Sequence, residues 1–250
     1  MGNISINDMA RFESPEYSCR LFYPSGDQVR ARKVVRRSNY GHVIKFASTK
    51  CARTVELESL LEYDLAILYE FNQDVVVFNE QPFRMEIEAN GVTRNLYPDF
   101  MVFYDNGSVS VEEVKPSYKL DNLEIVRKFE IQKQVCETLG YEFKVVTEND
   151  IRSGVNLNNS KRLLPYRRIV VPPWIFGTLR KWIGRNAITG NELIREVYEL
   201  TQDQILAMVA QGILITDLSK PLGLESTFQL NTRRPLLTEK QLLTWRRTCS

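Results

Sequence analysis

Asp99, Glu113 and Lys115 are the residues of this chain whose types and spacing could do chemistry together. Asp99 follows Pro98, and fourteen residues later stands Glu113-Val114-Lys115. An Asp followed by Glu-x-Lys is the core of a metal-dependent nuclease site. Two carboxylates can hold Mg²⁺, which takes oxygen ligands and keeps several of its waters. Such a metal lowers the pKa of a bound water and stabilises the departing oxygen. A lysine beside it can orient or deprotonate that water and stabilise charge on the phosphate. The bare pattern is weak, since about one Asp…[Asp/Glu]-x-Lys match is expected by chance at this length and ordinary composition.

The elements that must position these residues strengthen the reading. Leu96–Tyr104 and Ser108–Lys115 are expected as two strands joined by Asp105-Asn106-Gly107. With Gly107 left-handed in a three-residue loop, Tyr104 pairs with Ser108. Asp99 then faces Glu113, Met101 faces Val111, and Phe103 faces Val109. Directly paired residues project to one side. One face is thus apolar near the turn and ends in Asp99, Glu113 and Lys115, while Glu112 points to the opposite face. A two-residue Asn106-Gly107 turn would slip the register and separate Asp99 from Glu113. The alternative to a chemical site is a surface salt-bridge cluster on an edge hairpin.

A further carboxylate is expected from a helix beginning at Val55. Its stripe is Leu57, Leu60, Leu61, Leu65, Leu68 and Phe71. Glu58 and Glu62 lie one turn apart on it and can share a face. An unpaired buried carboxylate is costly, and a metal compensates it. Val75–Phe78 and 83–88 read as strands, with Asn90-Gly91 as a hairpin turn. A helix from about Leu123 to Leu139, closed by Gly140, leads to a strand Phe143–Thr147. The whole is a mixed α/β core.

Residues 1–54 look irregular, and 152–165 look like a polar linker. Beyond it Pro172-Pro173 opens a helix with Trp174, Phe176, Leu179 and Trp182. Thr189-x-x-Glu192 and Thr201-x-x-Gln204 are capping boxes for two more. Gly212 ends the third helix, and Ile213–Thr216 and Ser226–Leu230 read as two strands. Three helices and a hairpin make a winged-helix-like domain, a fold used for nucleic-acid binding and for protein docking. The expected division is 1–54, a basic region packed on the core; 55–152, a catalytic core; 153–165, a linker; 166–232, the winged-helix-like domain; and 233–250, a basic tail.

Composition narrows the chemistry. With 43% hydrophobic and 26% charged residues the chain is an ordinary globular one, not a disordered or disulfide-framework chain. His42 is the only histidine, which disfavours a histidine base or a histidine-rich metal site. Cys19, Cys51, Cys136 and Cys249 are far apart, without a C-x-x-C pair, and are expected as reduced thiols. No apolar run is long enough for a membrane helix, and Met1–Ile6 has no signal core, so a cytoplasmic location is expected. Residues 1–54 carry ten Lys/Arg and four Asp/Glu; residues 55–114 carry two and thirteen; the remainder carries twenty-one and fourteen. Basic flanks around an acidic centre suit a polyanion gripped at the edges and a cation held between.

Four segments together carry a resemblance: Glu58-Ser59-Leu60-Leu61-Glu62, Asn79-Glu80-Gln81-Pro82-Phe83, Tyr97-Pro98-Asp99-Phe100 and Glu113-Val114-Lys115-Pro116. Over Val55 to about Ile151 the chain resembles the TnsA-type endonucleases, which cut transposon ends in heteromeric transposases. The resemblance implies a restriction-endonuclease-like mixed sheet flanked by helices. By the family's spacing to the Gln of the second segment, it favours Glu62 over Glu58. It implies catalysis by Glu62, Asp99, Glu113 and Lys115, and metal at Asp99, Glu113, Val114 and Glu62, with Mg²⁺ and Mn²⁺ as substitute. The implied activity is cleavage of the 5′ strands of double-stranded transposon ends in bacteria. The implied partners are a TnsB-type DDE transposase and a TnsC-type ATP-dependent regulator. Other readings are a restriction or repair nuclease of the same fold, or a winged-helix DNA-binding protein with an inactive nuclease-like domain.

Overall fold

The turn at Asp105–Gly107 organises the sheet that matters most. Gly107 sits at φ +84°, a region open to glycine because it lacks a Cβ. The Gly107 N–H donates to Tyr104 O, and the Tyr104 N–H to Ser108 O, both at 3.0 Å. The flanking strands β8 (Phe100–Tyr104) and β9 (Val109–Val114) pair Phe100 with Glu112, Met101 with Val111, and Phe103 with Val109. This is the register of the three-residue loop. The computed structural model of the protein describes residues 11–13, 17–24, 30–32, 43–175, 178–179 and 187–232. His42, Cys249, the basic run 33–37, Phe176, Trp182 and the tail from Arg233 lie outside the described residues.

The described chain divides into two compact units. The first holds residues up to Tyr63 together with Asp74–Glu148. Its central sheet has the order β10-β9-β8-β5, where β5 is Val75–Glu80 and β10 is Glu142–Val146. Only β10 runs parallel to its neighbour, β9, reached through helix α2 (Leu123–Thr138). Asn122 caps α2 through its side chain, and Gly140 at φ +78° follows its end. Phe129, Gln132, Val135 and Cys136 are the buried positions of α2. Val135 and Cys136 join Met101 and Val111 in one core. The apolar part of the Asp99–Glu113 face is therefore covered by α2.

Residues 1–54 are not irregular where they are described. β1 (Arg11–Glu13), β2 (Ser18–Phe22), β6 (Arg84–Ala89) and β7 (Val92–Leu96) form a second antiparallel sheet in that order. β3 (Ile44–Ser48) pairs with β4 (Arg53–Leu57). In β2 only Cys19 and Leu21 are fully buried, so its alternation is too short to stand out from basic surroundings. β7 escaped the pattern because its first four residues are exposed. The Leu96–Tyr104 segment is accordingly two strands. The stretch from Val55 is strand before it is helix: α1 spans Leu60–Phe71. Leu60, expected on the buried stripe, is exposed, whereas Asp64, Ala66, Ile67 and Glu70 are buried.

The second unit holds Asp64–Gln73 and the chain from Asn149. After α3 (Glu148–Ile151), the segment expected as a linker is largely helical: α4 is Asn156–Leu163, and a 3₁₀ turn covers Leu164–Arg168. Buried partners explain it. Leu163 enters the unit's core, the Asn159 amide donates to Leu218 O and Lys220 O, and Lys161 pairs with Asp64 at 2.6 Å. Asp64 also pairs with Arg152, and Glu70 with Arg167. A helical segment at 173–175 precedes β11 (Ile188–Thr189), α5 (Gly190–Glu196), α6 (Gln202–Ala210), β12 (Leu214–Ile215) and β13 (Thr227–Leu230). Thr189 and Thr201 form the expected capping boxes. The three strands make a sheet of order β11-β13-β12, antiparallel throughout. Ile205, Leu206, Ala207, Met208 and Val209 are all buried, more than one full turn of α6. The helix is sheathed on every side there, packing against the 3₁₀ turn, α4, α5 and β12.

Because α4 is anchored rather than extended, trypsin under native conditions leaves the bonds after Lys161 and Arg162 intact. Peptide mapping checks this, and rapid cutting at either bond would show that the helix is not formed.

Candidate active site

The start of β8 is pinned on both sides. The Asp99 N–H donates to Glu112 O at 3.0 Å, and Asp99 O accepts from the Gln81 N–H at 2.9 Å. Its carboxylate accepts the Val114 N–H at 2.8 Å. Lys115 continues past β9, its N–H donating to Val146 O at 3.0 Å. The Lys115 ammonium lies 3.2 Å from Glu113 Oε2 and 3.8 Å from Asp99 Oδ2. The structure thus brings Asp99, Glu113 and Lys115 to one end of one sheet face. Side-chain exposures of 15% for Asp99, 8% for Glu113 and 31% for Lys115 make this a recessed cluster open on the lysine side.

The electrostatics follow from that recess. Burial, then the charges of Glu113 and Glu62, raise the Asp99 carboxyl well above the usual range, against the pull of Lys115 and the Val114 N–H. Burial also raises Glu62, although bonds from Glu58 N–H and Ser59 oppose it. Burial alone would lower Lys115, but Asp99, Glu113 and Glu62 together carry it above the ordinary lysine value. Three carboxylates therefore share one ammonium, and positive charge is favoured at this place.

Glu62 reaches the site by its field rather than by a bond. Its Oε1 accepts from Ser59 Oγ at 2.8 Å and its Oε2 from the Glu58 N–H at 2.9 Å, while Ser59 Oγ accepts the Glu62 N–H. Ser59-x-x-Glu62 is a capping arrangement at the start of α1. Glu58 is directed elsewhere: its carboxylate accepts from Gln81 Nε2 at 3.0 Å and lies 3.8 Å from both Arg30 and Arg32. Glu112 occupies the other sheet face, bonded to Tyr104 and Ser110.

Gln132 is a neighbour that sequence reasoning missed. Its amide donates to Glu113 Oε1 at 2.7 Å from within α2, and it is almost fully buried. The available signal was its place on the buried stripe with Phe129, Val135 and Cys136, where an amide needs a partner. Cys136 and Cys19 offer no nucleophile: burial pushes the first up to about 12 and, with Glu86, the second to about 11.

The donor chemistry suits a hard cation. Mg²⁺ is commonly bound through one or two carboxylates and retained waters. Asp99 and Glu113 supply the two carboxylates, and Asp99 sits where a cation relieves its charge. Val114 can contribute only its main-chain oxygen. Among the described residues no three His, Cys, Asp or Glu side chains are gathered tightly enough to form a complete metal cage. Any ion here depends on water or substrate oxygens as well.

This mixed α/β unit is compatible with a restriction-endonuclease-like core. Residues 72–148 match the family model described as TnsA-like endonuclease N terminal. The matched stretch contains β5 to β10, α2, Asp99, Glu113 and Lys115, and over it the chain is similar to the TnsA-like endonucleases. Glu62 and the second unit lie outside it. No curated protein sequence matches the chain.

A raised carboxyl favours its neutral form in the folded state. Its stabilising contribution is present below the unfolded pKa and lost as pH rises through the folded one, so ionised Asp99 opposes folding at neutral pH. Asp99→Asn accordingly raises the thermal midpoint in EDTA by roughly 2–4 °C, the equivalent of about 1 kcal/mol. Mn²⁺ or Mg²⁺ raises the wild-type midpoint and leaves the variant unmoved. A lowered midpoint for the variant in EDTA would contradict this electrostatic account.

Proposed function

We propose that the protein is a divalent-metal-dependent DNA endonuclease that cuts the 5′, non-transferred strands at transposon ends. It would act beside a TnsB-type DDE transposase and under a TnsC-type ATP-dependent regulator, in a bacterial cytoplasm. The observation that carries this reading is the meeting of Asp99, Glu113 and Lys115 at one end of a sheet within a TnsA-like domain.

Asp99 and Glu113, with Val114 and Glu62, would hold Mg²⁺ or Mn²⁺. When bound, the ion supplies an acidified water and charge stabilisation on the departing oxygen. Gln132 fixes Glu113 so that one carboxylate oxygen is committed and the other remains toward the lysine. Lys115, the most exposed of the three and held as an ammonium by the carboxylates around it, orients the attacking water and counters charge on the phosphate.

The second unit's order of β11, α5, α6, β12 and β13 supports a winged-helix-like assignment. Its use is better read as protein docking than as groove reading. A recognition helix must present a face to DNA, and α6 is covered all round from Ile205 to Val209. Residues 166–232 carry seven Lys/Arg against six Asp/Glu, too even a balance for tight phosphate binding by this module alone. DNA is then delivered mainly by the partner transposase, and the chain alone cuts poorly.

Reconstituted cleavage of candidate transposon ends with the cognate transposase and Mg²⁺ tests the proposal. Asp99→Ala, Glu113→Ala and Lys115→Ala each lower the cutting rate on the order of 10²-fold or more with the fold retained. Glu112→Ala loses stability, because Tyr104 and Ser110 lose their partner, yet retains cutting. Normal cleavage by Asp99→Ala would sink the assignment. Efficient site-specific cutting by the chain alone would favour a restriction-type enzyme.

A further inference from the structure

The Glu80-Gln81-Pro82 segment takes no part in the chemistry above, yet Gln81 has an unusual backbone. It is a buried non-glycine residue at φ +46°, a left-handed conformation, and it directly precedes a proline, which restricts it further. Strain of this kind persists where the surroundings over-determine it, and it concentrates at functional sites.

Three contacts hold Gln81. Its N–H donates to Asp99 O at 2.9 Å, one rung beyond the β5–β8 pairing that ends at Glu80 and Phe100. Its own carbonyl accepts the Ala31 N–H at 2.9 Å. Its side-chain Nε2 donates to Glu58 Oε1 at 3.0 Å. The Glu58 N–H in turn donates to Glu62 Oε2 at 2.9 Å. One residue is thereby bonded to the main chain of Asp99 and, through Glu58, linked to the Glu62 carboxylate. These two acidic groups come from different places, Asp99 just before β8 and Glu62 in α1, and nothing local in the sequence sets their spacing. A regular strand at Gln81 would turn its side chain and redirect Pro82, and the link to Glu58 would be lost.

We propose that Gln81 is a positioning residue of the nuclease site, setting the separation of Asp99 and the start of α1 through its left-handed backbone and its bond to Glu58. The proposal rests on the nuclease reading and adds to it a role for the Glu-Gln-Pro segment. Arg30 belongs to the same support: its guanidinium lies 3.1 Å from Glu56 Oε2 and 3.8 Å from Glu58, keeping Glu58 in place from the other side.

The test is single-turnover cleavage of transposon ends by the full chain with its transposase, at saturating DNA, beside thermal unfolding and DNA affinity. Gln81→Gly relieves the backbone strain and deletes the side-chain bond. Its midpoint matches or exceeds the wild type, while its cutting rate falls roughly 10- to 100-fold with affinity unchanged, the signature of misplacement rather than unfolding. Gln81→Glu opposes Glu58 and also loses rate. Exchanging the pair, Glu58→Gln with Gln81→Glu, restores a donor and an acceptor and returns the rate to within about threefold of wild type. Gln81→Gly cutting within about threefold of wild type, while Asp99→Ala is inert, overturns the positioning role alone. A rate loss matched by an equal loss of DNA affinity, or a swap that fails to rescue, overturns it as well. Cutting by Asp99→Ala at the wild-type rate sinks the nuclease reading and the role of Gln81 with it. If Gln81→Gly does not fold, the Glu variant and its swap decide the matter.

Discussion

The acidic end of the central sheet depends on the pairing register between β8 and β9. Side chains alternate across a strand, so a slip of one residue moves every side chain to the opposite face. Gly107 at φ +84° makes the three-residue loop, and the loop puts Met101 against Val111. Asp99 and Glu113 follow on the same face, and Glu112 on the other. The apolar part of that face is what α2 covers through Val135 and Cys136. The same helix lowers Gln132 onto Glu113. A slipped register would put Glu112 under α2 and carry Val111 to the opposite face, so the packing of the core and the geometry of the site enforce one another.

A second constraint is how the acidic stretch 55–114 is neutralised. Most of its buried carboxylates have structural partners. Glu80 is paired with Arg53, Glu112 with Tyr104 and Ser110, Asp64 with Arg152 and Lys161, and Glu70 with Arg167. Such pairs are needed because an uncompensated buried charge is strongly destabilising. Asp99, Glu113 and Glu62 differ in kind. They share the field of Lys115, and Asp99 remains raised in spite of it. The acidic centre read from composition is thus mostly internal pairing, with a small region left short of positive charge. That shortage, rather than net charge, marks the site.

The two units use their polar groups differently. In the first, the buried side chains of Gln132 and Glu113 meet at the recess at the sheet's end. In the second, Asn159 satisfies the carbonyls of Leu218 and Lys220, and Arg162 that of Leu222. Those bonds tie α4 to the loop before β13 and accompany the covering of α6. The arrangement is one of closure within the unit.

Local chemistry was legible from the residues alone. Asp105-Asn106-Gly107 announced its turn, Gly140 its helix end, and Thr189 and Thr201 their caps. The shared face of Asp99, Glu113 and Lys115 followed from alternation along the strands. These features depend on neighbours a few positions apart, which is why a sequence displays them. Other features needed the fold. β2 is a short strand that pairs with β6, far along the chain. The presumed linker became helix because Leu163 and Asn159 found burial and bonds elsewhere. The start of α1 moved from Val55 to Leu60 because Val55 and Leu57 are strand residues paired with Phe46 and Ile44. What Gln81 and Gln132 bond was not legible, since an amide acquires its role only when a distant carboxylate or carbonyl is brought to it. Residue types and periodicity therefore determined which groups could do chemistry, and tertiary structure decided which of them are held, by what, and at what distance. The reason is that burial and polar pairing are made between segments remote in sequence.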